Sequence, residues 1–359
     1  MILENSTWLP AELSVAALLG APRRVGLVVA KATYRVAGDG TTIPEEENPY
    51  PIFPGEEETE LGLLPADLLP RADSAFEVVL LGKAYVPGGR PLPALTVALT
   101  VGDVRREMAI FGDRYWTPGP WNSSEPVISK PEPFVEMPLV WGGAFGGTKE
   151  VLIDVDSPIE IMHPANPAGK GFDPRPQVAA LRQALGAPDG FPTYDHTRSL
   201  PNLEDPRHLI LAWDDDPAPN CWATVPISST LHVSRGMKLS GNPDPEAGPV
   251  LTDGFHHRAH PDWVIPLPER HAPVIVEGMV PDWGMAFRIP ALRVLGDWAL
   301  GEDQGTFELA PQGMVLLPEE RRFYLVYRRL FPLPHPSEED RSLRLRTEPG
   351  WPGPVREVR

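Results

Sequence analysis

Proline and glycine punctuate this chain more densely than any other feature of it, with 46 Pro and 32 Gly among 359 residues. Pro fixes φ and Gly enters conformations that other residues avoid, so both form turns. The chain therefore reads as many short elements joined by rigid turns. Its 42% hydrophobic content supplies a packed core without the low complexity of a disordered sequence.

Between the turns the apolar runs are strand-like. Val25 to Val36 is rich in Val and ends at the turn signal Gly38-Asp39-Gly40. Phe76 to Val86, Leu95 to Val101 and Val104 to Phe111 are separated by Pro87-Gly88-Gly89 and by the two-residue turn Gly102-Asp103. They read as an antiparallel meander, because no helical stretch lies between them to carry the crossover that a parallel pair needs. Strands follow at Val274 to Glu277, Met285 to Ile289, Ala291 to Leu295, Thr306 to Leu309, Met314 to Leu317 and Arg322 to Leu330. Pro318-Glu319-Glu320-Arg321 supplies the last hairpin connection. Helix is expected at Ala11 to Leu19 and at Gln177 to Leu185, where Val178, Leu181 and Leu185 share a face.

The expected fold class is mainly β, with antiparallel sheets forming two interlocked β-rich lobes and few short helices. Residues 1–115 make an N-terminal meander lobe and 116–268 an irregular, loop-rich middle with one helix. Residues 269–332 make a C-terminal lobe packed on the first, and 333–359 a loosely held extended tail. A loop region as long as Tyr115 to Asp205 is usually functional or hides irregular structure, so it is the first place to look for a binding surface.

Forty-nine acidic against 32 basic side chains give a formal net charge of -17. That charge repels phosphate backbones and anionic lipid, which argues against nucleic acid and membrane as partners. The basic residues Arg321, Arg322, Arg328 and Arg329 read as strand decoration, and the acidic loop from Ile43 to Glu60 as a solvated one. A single cysteine, Cys221, can form neither an intrachain disulfide nor a CxxC metal site, so nothing calls for an oxidising compartment. Val15 to Leu19 is too short for a signal core, and no run approaches the roughly 20 apolar residues that span a bilayer. A cytoplasmic location is expected.

The search for catalytic chemistry returns little. Gly142-Gly143-Ala144-Phe145-Gly146-Gly147 lacks the GxGxxG spacing, Ala168-Gly169-Lys170-Gly171 has Lys without the earlier glycine, and no GxSxG is present. His256, His257, His260 and Asp262 hold three imidazoles and a carboxylate within seven residues. On a helix His256 and His260 would share a face, but Pro261 disfavours helix at His260 and no Glu lies between the pair in the HExxH manner. Ordinary loop histidines are favoured over a metal-dependent hydrolase, to which His232 would add a further imidazole. Asp214-Asp215-Asp216 lacks the spacing of a calcium loop and reads as a solvated turn. Trp116, Trp121, Phe134, Trp141 and Phe145 read as core or interface lining. No cofactor is expected.

Ordered motifs along most of the chain resemble one bacterial family. They begin with Asn5, Lys31-Ala32-Thr33-Tyr34 and Gly38-Asp39-Gly40, then Asp67-Leu68-Leu69-Pro70, Gly82-Lys83-Ala84-Tyr85 and Phe111-Gly112-Asp113-Arg114-Tyr115-Trp116. Pro133-Phe134, Met137-Pro138-Leu139, Gly143-Ala144-Phe145-Gly146-Gly147, Asn166-Pro167-Ala168-Gly169-Lys170-Gly171 and Leu200-Pro201-Asn202-Leu203-Glu204 follow in order. Leu317 to Phe323 leading into Val326-Tyr327-Arg328 resembles the closing hairpin. The resemblance is to proteins of formerly unknown function encoded beside type VI secretion spike proteins, effectors and pentapeptide-repeat proteins. It implies an adaptor or chaperone that holds a secreted effector and helps load it onto the VgrG spike, with no catalytic residues. Between Asp205 and Leu267 the chain departs from the family pattern, and His260-Pro261-Asp262-Trp263 is the nearest remnant. Asp113, Arg114, Trp116, Trp141, Phe145, Asn166, Lys170, Asn202 and Glu204 are the candidate site residues, as contacts for a partner or as braces for long loops, the second being favoured. A metal hydrolase and a structural part of a contractile particle are the rival expectations.

Overall fold

The computed structural model describes residues 2–16, 25–69, 71, 75–119, 126–154, 157–185, 198–231, 237–238, 250–251, 257–282, 284–301, 303–332 and 341–350. The longer strands of its two main sheets are β1 (Ile2–Asn5), β2 (Ala11–Ala16), β3 (Val25–Val36), β4 (Phe76–Leu80), β5 (Ala94–Val101) and β6 (Val104–Phe111). They continue with β7 (Pro273–Glu277), β8 (Gly284–Arg288), β9 (Leu292–Leu300), β10 (Asp303–Leu317), β11 (Arg322–Pro332) and β12 (Arg341–Pro349). The helix α1 spans Arg175–Leu185.

The larger sheet runs in the order β1, β12, β9, β10, β11, β3, β2 and curls until it is nearly closed, like a barrel. The smaller one runs Leu203–Glu204, β6, β5, β7, β8. Strands from both halves of the chain therefore share each sheet, and the architecture is mainly β and mostly antiparallel, as the patterning implies. The inner faces of both sheets feed one continuous core that includes Leu27, Val78, Leu316 and Phe323 of the larger sheet and Val97, Leu99 and Met108 of the smaller. Each such side chain removed from water contributes about 1.5–3 kcal/mol before entropy is charged against it.

Four expectations are corrected. Ala11–Ala16 is a strand, not a helix, because six of its residues pair with β3 from Ala11↔Ala30 to Ala16↔Val25; residues 17–19 lie outside the described ones. Phe76–Leu80 does not continue a meander. It leaves the smaller sheet and lies parallel to β10, from Gly313↔Glu77 to Leu316↔Leu80. The crossover that a parallel pair requires is here the whole intervening chain, which no local pattern could display. The stretches around Thr306 and Met314 belong to one strand, β10, which bonds β9 up to Leu309, shifts register between Pro311 and Gly313, and then lies between β11 and β4.

The fourth concerns the tail. Arg341–Pro349 is held as β12 between β9 and β1, with Leu343 and Leu345 fully buried. Alternation places those two leucines on the core side and Arg344 and Arg346 on the other, the period-2 pattern of a half-buried strand. The helix at Gln177 to Leu185 is present and begins two residues earlier, with Val178 buried.

Candidate functional site

The candidate residues of the middle segment come together, and they do so as braces. Asn166 donates from Nδ2 to the carbonyls of Trp141 (2.8 Å) and Phe145 (3.0 Å), while its own carbonyl accepts from the Gly147 N–H (2.8 Å). That closeness dictates Gly146: its φ of 140° is a conformation L side chains rarely adopt, and an added Cβ would overlap the Asn166 carbonyl oxygen. Phe145–Gly146 then pairs parallel with Lys170–Gly171. Asn202 donates to the Phe111 carbonyl (2.9 Å) and to Asp113 Oδ1 (3.0 Å), which Lys170 Nζ also reaches at 3.4 Å. These contacts hold the Asp113 carboxyl below its ordinary pKa, the Asn202 bond being the largest cause.

Arg114 and Glu204 form a buried ion pair beneath this layer. Glu204 Oε2 also accepts from the Ile210 N–H (2.9 Å), and Arg114 donates to the Pro201 carbonyl (3.2 Å) and lies 3.8 Å from the Phe111 ring centroid. Burial raises the Glu204 pKa and lowers that of Arg114, so each charge relies on the other. Trp141 donates from its indole to the Thr224 carbonyl (2.8 Å), and Trp116 and Phe145 pack with Leu200 and Ile210 in a small core of their own. Phe134 packs partly buried on the main core; Trp121 lies outside the described residues.

The histidine cluster is pulled apart. His256 and His232 lie outside the described residues. His257 Nδ1 is 2.7 Å from Glu77 Oε1, whereas His260 Nδ1 accepts from the Asp262 N–H at 3.2 Å. Asp262 faces Arg106 (3.7 Å) and Arg207 (3.4 Å). Among the described residues no group of three or more His, Cys, Asp or Glu is arranged to hold a metal ion. Asp214 and Asp215 sit in an exposed turn in which Asp215 Oδ2 accepts from the N–H groups of Leu211 and Ala212, both at 2.8 Å. An open groove of about 600 Å³ between the Asp39–Thr42 turn and strands β7 and β8 contains none of the candidate residues.

A second convergence went unread in the sequence. Lys31, in the middle of β3, is fully buried with Nζ 2.6 Å from Asp67 Oδ2, 2.7 Å from the Pro51 carbonyl, and 4.0 and 4.3 Å from the ring centroids of Phe53 and Tyr324. Asp67 Oδ2 also accepts from the Phe53 N–H (2.7 Å), and Arg328 of β11 donates from Nε to the Asp67 carbonyl (2.9 Å). Burial lowers the Lys31 pKa to about 8 against the pull of Asp67, and lowers that of Arg328 to about 10. Arg328 is thus a core residue and not strand decoration. The motifs Lys31-Ala32-Thr33-Tyr34, Asp67-Leu68-Leu69-Pro70 and Val326-Tyr327-Arg328 meet at this point.

Beside it, Glu77 of β4 faces Arg71 and His257 and accepts the N–H groups of Arg258 (2.8 Å) and Ala259 (3.2 Å). Burial alone would raise its pKa, yet Arg71 and His257 hold it well below the usual carboxylate range. The signal that could have found Glu77 is a lone charge inside the apolar run Phe76-Glu77-Val78-Val79-Leu80.

The fold and these clusters define a mainly β scaffold whose marked polar residues are spent on holding distant segments together. A family model described as an uncharacterized protein conserved in bacteria (DUF2169) matches residues 21–328, and the chain belongs to that family. No curated protein and no solved structure matches the chain. No helix among the described residues is long and apolar enough to cross a membrane.

Proposed function

We propose that this protein is a non-enzymatic cytoplasmic adaptor or chaperone that binds a type VI secretion effector and assists its loading onto the VgrG spike. One observation carries the protein-binding part. In the loop layer between Asp113 and Glu204 the polar motif side chains are turned onto one another and onto backbone carbonyls, while large apolar side chains of this layer and of the segment that follows it, up to Ile227, face outward. Tyr115, Val127, Val135, Met162, Leu209, Leu211 and Ile227 are seven of the ten exposed large hydrophobic residues among those described. A braced framework that shows apolar side chains suits recognition of another protein. The type VI assignment rests on the resemblance of the ordered motifs.

The test is co-purification of the tagged chain with VgrG and a candidate effector from the same bacterium, together with secretion of that effector from a deletion strain. Capture of the effector and loss of its secretion are expected. Binding to neither, with secretion unchanged, refutes the proposal, and a fixed stoichiometry in secreted sheath or spike would instead make the chain a structural part of the particle.

A further inference from the structure

Three segments of the middle region meet around His163. Its Nε2 lies 3.6 Å from Asp216 Oδ1, which brings in the turn from Leu211 to Asp216. Its neighbours Pro164 and Ala165 offer their carbonyls to the Thr230 N–H (3.0 Å) and Ser229 Oγ (2.5 Å), which brings in the turn from Pro226 to Thr230. Each segment turns one large apolar side chain outward: Met162 is 50% exposed, Leu211 80% and Ile227 61%. Single exposed apolar residues are ordinary, but a group on adjoining segments marks an interaction site. Both turns are pinned, the first by the Asp215 carboxylate and the second by the Ser229 N–H to Pro226 carbonyl bond (3.0 Å), so the display is part of the fold.

The exposed charge beside these side chains is mainly negative, since Arg175 and Arg198, which touch Trp213 of the turn, are both paired with Asp173. In the hairpin Thr148–Asp154 with Ser157–Met162, Glu150 stands directly opposite Glu160, one pair along from Thr148↔Met162 on the same face. Like charges directly opposite are destabilising, and neither carboxylate has a cationic partner among the described residues. Asp214 and Asp216 add to them from the adjoining turn. Burial lowers the His163 pKa, so at neutral pH Asp216 faces an uncharged ring.

We propose that Met162, Leu211 and Ile227 form the docking face of this protein, and that its occupant is a protein segment with apolar side chains flanked by Lys or Arg. The apolar part covers the three side chains, and the basic part relieves the Glu150–Glu160 repulsion. That the segment belongs to a secreted effector rests on the adaptor reading above; the chemistry of the face does not.

The experiment measures binding of the full chain to a fluorescein-labelled Leu/Lys amphipathic peptide and to its Leu/Glu counterpart. Saturable binding of the Leu/Lys peptide alone is expected, weakened about tenfold or more by Leu211→Ser with Ile227→Ser, and likewise by Asp214→Lys with Asp216→Lys. Ile275→Ser, which alters an exposed residue on β7, leaves it unchanged. Absence of saturable binding, equal binding of both peptides, or equal binding by all variants overturns the proposal. The effector pull-down separates the two readings. If the effector binds the Leu211→Ser, Ile227→Ser protein undiminished, this face is refuted while the adaptor stands. If the wild-type chain captures no effector but the peptide result holds, the adaptor reading fails and the docking face stands.

Discussion

Replacing Lys31 by Met keeps the stem that packs on Phe53 and Tyr324 but removes the ammonium 2.6 Å from Asp67 Oδ2. Asp67 is fully buried. It would retain the Phe53 N–H at 2.7 Å and, at 3.8 Å, the Arg328 guanidinium, which is too far for a hydrogen bond. Removing one member of a buried pair costs about 3–5 kcal/mol, because the other charge is left in a medium that solvates it badly. The lost bond to the Pro51 carbonyl adds about 1 kcal/mol. Coupling Lys31→Met to Asp67→Asn removes both charges and leaves an amide that still accepts from Phe53, so the double variant should be more stable than Lys31→Met alone. Urea unfolding at pH 7, with unchanged m-values, reads both numbers. A Lys31→Met loss below about 1 kcal/mol, or a double variant that shows the sum of the two single losses, would refute the idea that the pair acts as a unit.

Three further outcomes are expected. Burial brings the folded Lys31 pKa to about 8, below its ordinary 10.5, so the unfolded chain binds more protons between those values. Unlike Lys31→Met, deprotonation leaves an amine that still donates to Asp67 and to the Pro51 carbonyl, so the charged lysine's penalty, fully present below pH 8, is relieved as pH rises without the loss of those bonds. Stability should therefore climb by about 2 kcal/mol from pH 7 to 9.5 relative to Lys31→Met, and parallel pH curves for the two proteins would contradict this. Gly112→Ala should lower Tm far more than Gly55→Ala, since a Cβ at Gly112 would overlap the Glu132 carbonyl oxygen whereas nothing lies within 4 Å of one at Gly55; equal shifts by circular dichroism would dismiss the clash. Cys221 is buried with its thiol pushed up to about 12 by desolvation, so iodoacetamide at pH 8 should label it only in urea, and stoichiometric labelling of the native protein, read by mass, would count against that burial.

The strand positions were legible wherever residue type and turn chemistry agreed. Val25–Val36 and Val104–Phe111 have the bounds their apolar runs announce, and the Gly102-Asp103 turn closes the expected hairpin. Ala11-Glu12-Leu13-Ser14-Val15-Ala16 suits either period, and pairing with β3 decided it. The alternation in Leu343-Arg344-Leu345-Arg346 was readable but was masked by the Pro-rich, charged composition around it. At the candidate site the motif residues named from the sequence do meet. Whether Asn166 or Arg114 touches a partner or a carbonyl is a question of distance, and the acceptors of their side-chain hydrogen bonds lie between 21 and 90 residues away. His257 and Glu77 are 180 residues apart, so nothing local marked either as the other's partner.

From its sequence alone this chain is determined to be a turn-punctuated β protein with a net negative charge, because side-chain alternation, Pro and Gly geometry and charge counts are local properties. Only the tertiary structure decided that β4 lies parallel to β10, that the final segment joins the larger sheet as β12, and that Lys31, Asp67 and Arg328 share one buried point. Backbone hydrogen bonds do not distinguish one strand from another. Partners are selected by which side chains must leave water together, and that choice exists only once distant parts of the chain have met.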